Sequence, residues 1–554
     1  MTAVIRPLVV AWWMILSTGC DGDLGSTPRD GALPDGPAGA DGSGSGPDGG
    51  SPPPPSTTCT IPIRAQDVSR PTSVVGSGTP ASCTEQAFAG AVRAGGVITF
   101  NCGGPATIRL SAEQELPIDK DTILDGGGII TLDGGGTTRL LRFYSPNYRA
   151  TRTRVALQHL TLIGGKATGT PIPPAPPPCS QGFNIDGGGA AIFVRDGILH
   201  VVDVTFRGNQ GAQRGPDVAG AGVYAVGSLE VTIVGSRFED NTASNGGAVG
   251  SLNSNLTLVG NVFLRNHATG SGANYIDPQC AVGGGESGDG GNGGAVVMDG
   301  GEEFAVTLCG NVFQGGQAGA LGGAVFRTPD INRQTTRIDQ SSFDGNAAKG
   351  GGALYFHNSD LFISASTFSN NSAQGAGAIQ ADDTNIDFTN LTFAGNSALM
   401  GIGGAMSIFS GGGTITNCTF ANNHSDGGAG FFAAAIAGGL RFIINNSIFW
   451  NNTSRDANSP MTCQGVSDGT ATSDLQWPQN HLVGGAPDDA CVTGIRFADA
   501  NLGALAPNGG PTQTMVPPAG SPALGIGRAC PPTDQRGQPR RQPDGCTAGA
   551  VEVP

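Results

Sequence analysis

The sequence predicts an all-β solenoid: a parallel β-helix with a short N-terminal capping helix and an irregular C-terminal cap. Two observations predict it, a repeated segment of about 25 residues and the strand-forming residues that fill it. The clearest copy is 351–375, GGALYFHNSDLFISASTFSNNSAQG, followed by GAIQADDTNIDFTNLTFAGNSA and GGAMSIFSGGGTITNCTFANNHSDG. Helical repeats of this length need Ala, Leu, Glu and Lys at a 3.6-residue period. Here short segments alternate at period two, favour Thr, Val, Ile and Phe, and are punctuated by glycine.

The columns follow from aligning Phe206, Phe238, Phe263, Phe313, Phe343, Phe368, Phe393, Phe420 and Phe449. Three residues on come Asn209, Asn241, Asn266, Asn346, Asn371, Asn396, Asn423 and Asn452, with Gly316 the exception after Phe313. Five residues before each Phe sits an apolar residue, from Val201 to Ile444. Val223, Val249, Val296, Val325, Leu354, Ile379 and Met406 form another column after the glycine turn. Stacked coils about 4.8 Å apart would lay Phe on Phe and hydrogen-bond Asn to Asn along the axis.

The pairing of GGA[VIL] with FxxN resembles the repeats of chlamydial polymorphic outer membrane proteins and related bacterial right-handed β-helix proteins, over 188–452. The resemblance implies a right-handed, pectin-lyase-like shaft displayed on a cell surface and does not by itself imply a reaction.

Composition agrees with export. Lys and Arg total 29 against 44 Asp and Glu, a net charge of −15, which disfavours nucleic acid as a partner. Residues 1–20 carry one Arg and a short apolar run, a secretory h-region and not a membrane span. Leu16-Ser17-Thr18-Gly19-Cys20 resembles a bacterial lipobox, with Cys20 as the lipidated residue and the membrane as a partner through that lipid. Residues 21–58, rich in Gly, Asp, Pro and Ser, read as a disordered tether.

Residues 59–167 read as the N-terminal cap and first coils, with a short helix within 81–94 and a degenerate rung at 155–165 carrying Leu157, Leu160 and Leu162. The repeats proper occupy 168–452, interrupted by insertions at 168–187 and 267–292 and a smaller one at 210–219. All three fall between an FxxN and the next glycine turn, hence on one edge of the shaft. That edge is the expected binding surface, with Tyr275 and Asp277 the first contacts. Residues 453–554 are expected to form the C-terminal cap. Within them LGALAPNGGPTQT, GSPALGIG, TDQRG and GAVE resemble the choice-of-anchor Q domain that commonly follows bacterial β-helices.

Cysteine spacing suggests the local disulfides Cys83–Cys102, Cys463–Cys491 and Cys530–Cys546, and the paired insertions suggest Cys179–Cys280. Cys309 and Cys418 are expected to be buried free thiols, and Cys59 has no evident partner. No CxxC occurs, and no metal or cofactor is expected. His267 and His424 share a column five coils apart, on the order of 24 Å, too far for one ion.

Catalysis is searched for because many β-helices act on polysaccharides. Hydrolysis needs two carboxylates roughly 5–9.5 Å apart. Asp382, Asp383 and Asp344 are the fallback candidates, although the Asp382-Asp383 pair reads as a solvated turn. The polygalacturonase partners Gly-His-Gly and Arg-Ile-Lys do not occur. The expected function is therefore non-catalytic: an exported, lipid-anchored envelope protein, at the outer membrane or cell surface, that adheres to a glycan or surface protein. A polysaccharide lyase or hydrolase and a purely structural spacer are the alternatives.

Overall fold

Each coil is built by alternation and broken at left-handed corners. In the coil that starts at Leu354, strands Leu354–His357, Ser359–Ser364, Thr367–Ser369 and Ser372–Ala373 follow one another with single-residue or short corners. Asn358, Ala365 and Asn370 turn those corners with φ of 50°, 47° and 54°, a conformation Asn tolerates better than most side chains. The residue two after each column Phe is left-handed throughout the regular repeats: Gly208, Asp240, Arg265, Gly315, Gly345, Asn370, Gly395, Asn422 and Asn451.

The computed structural model describes residues 59–554 except 174, 177–178, 273–274, 281–284, 330–332, 427–430, 435–441, 455–462, 465–467, 470–472, 478–489 and 493. Cys20, the leader and the tether lie outside the described residues. Successive coils pair in parallel, so Leu354 faces Ile379, Ile363 faces Phe388, Phe368 faces Phe393 and Ala373 faces Ala398. The strands gather into sheets of 25, 12 and 8 members, a parallel solenoid of about 12 turns. The rung at 155–165 joins in register, with Leu157 opposite Val201 and Leu162 opposite Phe206.

The core is a set of stacks. From Phe206 to Phe449 neighbouring rings lie 4.6–5.0 Å apart and within 9° of parallel. Helix Glu85–Ala94 covers the N-terminal end with Phe88, Ala91 and Val92. Its Thr84 cap accepts from the Ala87 amide at 3.2 Å, satisfying one orphan donor. Covering that end matters because a solenoid terminus otherwise exposes unpaired strand edges and apolar stacks.

The C-terminal region differs from a simple end cap. The FxxN motif stops at Asn452, but the coil continues through Cys463–Gln464, Asp468–Gly469 and Leu475–Trp477, the last paired to Ile448–Trp450. The following segment runs back along the flank. Gln535 donates to Thr367 Oγ1 at 2.8 Å and accepts from Thr392 Oγ1 at 2.7 Å. Arg540 reaches Asn390 Oδ1 at 2.9 Å, and Asn446 donates to the Arg528 carbonyl at 2.8 Å. Among the described residues no helix is long and apolar enough to cross a membrane.

Candidate functional site

The asparagine column forms a continuous polar thread inside the shaft. Asn371 Nδ2 donates to Asn396 Oδ1 at 2.9 Å and to the Phe343 carbonyl at 3.0 Å, while its Oδ1 accepts from the amide and Nδ2 of Asn346. The same pattern links Asn209 to Asn241, Asn241 to Asn266, Asn346 to Asn371, Asn396 to Asn423 and Asn423 to Asn452. Gly165 and Gly316 contribute only a backbone amide, so the thread runs in two lengths. A parallel thread of Ser236, Asn261, Asn311, Ser341 and Ser366, two residues before the Phe column, was not anticipated. These residues are buried and shape the shaft.

Among the described residues five disulfides are present: Cys83–Cys102, Cys179–Cys280, Cys463–Cys491, Cys530–Cys546 and Cys59–Cys309. The last corrects the reading of Cys309 as a free thiol and supplies the partner of Cys59. Leu308 points inward, so alternation sends Cys309 outward, where Cys59 and Ile63 of an N-terminal strap pack with Val234 and Val259. The strap is also held by Gln66, which exchanges hydrogen bonds of 2.8 and 3.0 Å with Gln158. Cys418 is free and buried, and burial pushes its thiol up to about 12.

The three insertions meet in one loop cluster centred on Asp289, which is 4% exposed. Its carboxylate accepts from the Ser271 and Gly272 amides at 2.7 and 3.0 Å and from Arg214 Nε at 2.8 Å. Although burial works against ionisation, these donors hold its pKa below the usual carboxylate value. Tyr275–Asp277 and Gly285–Ser287 form an antiparallel hairpin in this cluster; the side chains of Tyr275 and Asp277 lie outside the described residues.

The fallback acids are not brought together. Asp344 lies at the end of Ser342–Asp344 in the large sheet, where Ser369 and Asn370 donate to it at 2.8 and 2.9 Å. Asp382 ends Ile379–Asp382 in the 12-stranded sheet. Asp382 is also less solvated than a turn residue should be. Tyr355 donates to its Oδ2 at 2.7 Å, while its Oδ1 is buried without a hydrogen-bond partner. Burial raises its pKa above the usual carboxylate value. His357 is its register partner on the adjacent strand. Asp383 is taken up by Arg333 at 2.7 Å, with Asp360 3.8 Å from the same guanidinium. The cluster therefore holds one protonatable acid beside an exposed histidine, with its neighbouring acids tied to an arginine.

A groove of about 620 Å³ opens elsewhere on the 12-stranded sheet, over the first coils. Its floor comes from alternation. In Leu141–Tyr144, Leu141 and Phe143 are buried, so Arg142 and Tyr144 face out. In Ile192–Arg195 the outward residues are Phe193 and Arg195. Parallel pairing sets Arg142 beside Phe193 and Tyr144 beside Arg195. Lys166 and the first insertion, including Thr170, Ile185 and Asp186, supply the wall.

The cations are unequally engaged. Arg139 binds Glu113 at 2.6 Å and the Gly189 and Gly188 carbonyls at 3.1 and 3.0 Å. Arg142 binds Glu115 at 2.5 Å and lies 4.5 Å over the Tyr144 ring. Arg195 donates to the Asn147 carbonyl at 2.8 Å and sits 5.2 and 5.7 Å from the Tyr144 and Tyr148 rings. Among the described residues neither Arg195 nor Lys166 has a carboxylate within ion-pair distance. Tyr144, which lines the groove, and Tyr148 beside it are 41% and 40% exposed, with the guanidinium groups of Arg142 and Arg195 stacked against them. The sequence search missed this groove, although alternation around Leu141 and Ile192 carried the signal. Among the described residues no group of three His, Cys, Asp or Glu could hold a metal ion.

Residues 330–480 match the family model described as right handed beta helix region. No curated protein matches. Among solved structures, ORF18 of Geobacillus virus E2 is similar at 12% identity with a TM-score of 0.27, over 69% of this chain and 60% of that one. The chain thus spans about 60% of the length of that relative, and a likeness at this level carries no functional argument. Family model and coil geometry agree on the architecture: the protein is a right-handed parallel β-helix.

Proposed function

We propose that this protein is a non-catalytic adhesin of the bacterial cell envelope, exported and lipid-anchored at Cys20, which binds glycan in the groove over its first coils. The fold is compatible with adhesion and with polysaccharide chemistry, so the site has to decide between them. The observation that carries the adhesin reading is the groove itself: the exposed Tyr144 beside Arg195 and Lys166, two cations without carboxylate partners among the described residues. An amphipathic aromatic ring and a planar guanidinium fork supply apolar contact and directed hydrogen bonds, and neither is itself an acid or base at neutral pH. The likeness to polymorphic-outer-membrane-protein repeats, the choice-of-anchor Q-like segment and the lipobox-like Leu16–Cys20 stretch support surface display.

One observation favours polysaccharide hydrolysis as a second reading. Asp382, with a raised pKa and an unpartnered buried oxygen, has the character of a general acid. Among the described residues the acids beside it, Asp383 and Asp360, are tied to Arg333, which is why the binding reading is preferred. A screen of the purified protein against polysaccharides, scoring both retention and new reducing or unsaturated ends, tests the two. Retention without product is expected. Product that disappears in Asp382→Asn would replace the adhesin reading with the hydrolytic one. Failure to retain any glycan or surface protein would leave a structural spacer.

A further inference from the structure

The groove has an electrostatic character opposite to that of the chain. Its lining holds four cations, Arg139, Arg142, Lys166 and Arg195, against two carboxylates, Glu113 and Asp186, a local balance of +2 (4 − 2) in a protein of net charge −15. Arg139 is spent on Glu113 and on backbone carbonyls, and Glu115 at the rim offsets Arg142. Asp186 is turned to Thr170, which donates to it at 2.9 and 2.7 Å. What remains without a carboxylate partner among the described residues is Arg195, which donates to the Ser145 and Asn147 carbonyls, and Lys166, with Tyr144 beside them.

We propose that this groove selects an acidic glycan, one whose sugars carry carboxylate or sulfate, with Arg195 and Lys166 reading the charge and the exposed Tyr144 packing against the sugar. The proposal rests on the glycan-binding reading above and narrows it. Arg195 is held by the Asn147 carbonyl and by the rings beside it, so its guanidinium is fixed before any ligand arrives. A preorganised planar fork suits a carboxylate or sulfate edge and loses little freedom on binding. Arg142 and Arg195 project from adjacent coils about 4.8 Å apart, two residues apart along the paired strands, so an anionic segment crossing the two coils diagonally meets both. Phe193 beneath them is 3% exposed, and that apolar floor leaves the charges less screened than on open surface.

The test uses the purified full chain in affinity electrophoresis and titration calorimetry against polygalacturonate, its methyl ester, dextran sulfate and dextran. Polygalacturonate or dextran sulfate should bind, at least tenfold more weakly in Arg195→Gln/Lys166→Gln and more weakly again as salt rises. Binding of one anion and not the other identifies which group is read. Arg337→Gln, which removes an exposed arginine stacked on Phe362 at 4.4 Å on another sheet, should leave affinity unchanged and controls for net charge. Lys166→Gln alone, which removes no ion pair, covers the case in which the double variant fails to fold. Equal binding of the ester, an unmoved affinity in the variants, or equal binding of a DNA oligomer overturns the proposal. Binding confined to neutral glycans overturns it while leaving the adhesin reading intact, whereas no glycan binding at all overturns both.

Discussion

Replacing Asn371 by alanine should cost far more than replacing Asn209, although both sit in the same column and both are fully buried. The difference lies in what each side chain satisfies. Asn371 Oδ1 accepts from two donors of Asn346, its amide and its Nδ2. Alanine orphans both in a site closed to water. Asn209 Oδ1 accepts only from the Gly165 amide, because glycine has no side chain to add. Each buried orphan donor costs about 1–3 kcal/mol, so Asn371→Ala should lose about 4 kcal/mol and Asn209→Ala about 2. Asn346→Ala, whose Oδ1 serves the Gly316 amide alone, belongs with the cheaper class. Urea unfolding gives the three values, and hydrogen exchange at the Asn346 amide reports whether the opening is local, as expected where each coil contacts only its neighbours. Equal costs at the three positions would refute the reasoning, since the column would then act by packing alone.

Other perturbations follow from single features. Cys309→Ser opens a link with a sequence separation of 250, for which the chain-entropy model allows about 5 kcal/mol; limited proteolysis should then cut the 59–72 strap while the coils survive. Asp474 is pushed up to about 8 by burial, opposed only by the Ser447 amide. The folded state therefore holds a proton that the unfolded state releases above about 4, and stability should fall as pH rises from about 4 to 8. In Asp474→Asn that slope should flatten in denaturant titrations at several pH values; an unchanged slope would locate the proton elsewhere.

The apolar and asparagine columns were legible because a fixed period puts equivalent residues on one stack, whatever the details of the corners. The insertion disulfide was legible for the same reason, since the period fixes how many coils separate the two loops. The expectation of a buried free thiol fails at Cys309 because its place beside Leu308 in an alternating strand turns it outward. The groove depends on register: Tyr144 and Arg195 become neighbours only when the strands of two irregular coils are paired. The flank-docked C-terminal segment left a fainter mark. Thr367, Thr392 and Thr419 precede the column Phe in three successive coils, and all three hydrogen-bond to that segment. Earlier coils carry Thr205, Arg237, Val262, Val312 and Ser342 there, so the run of threonine is a docking signature visible only once its partner is known.

The first length of the asparagine thread and the loop cluster define one stapled block. The thread starts at Gly165, immediately before the 168–187 insertion, and ends at Asn266, immediately before the 267–292 insertion. Cys179–Cys280 joins those two insertions outside the coils that the thread joins inside. Arg214, from the loop between them, binds Asp289 and Gln181, one residue from each large insertion. The groove draws its wall from the first insertion, so the staple should hold the wall in place without contributing to the distant coils. Cys179→Ser/Cys280→Ser therefore separates the two roles. Hydrogen exchange should quicken in 168–187 and 210–219 while the Asn346 and Asn371 amides stay protected, and glycan affinity should drop severalfold through a faster off-rate, as expected when a preorganised wall is loosened. A uniform loss of protection along the shaft would show that the disulfide secures the fold as a whole, and that the insertions are not built to present a site.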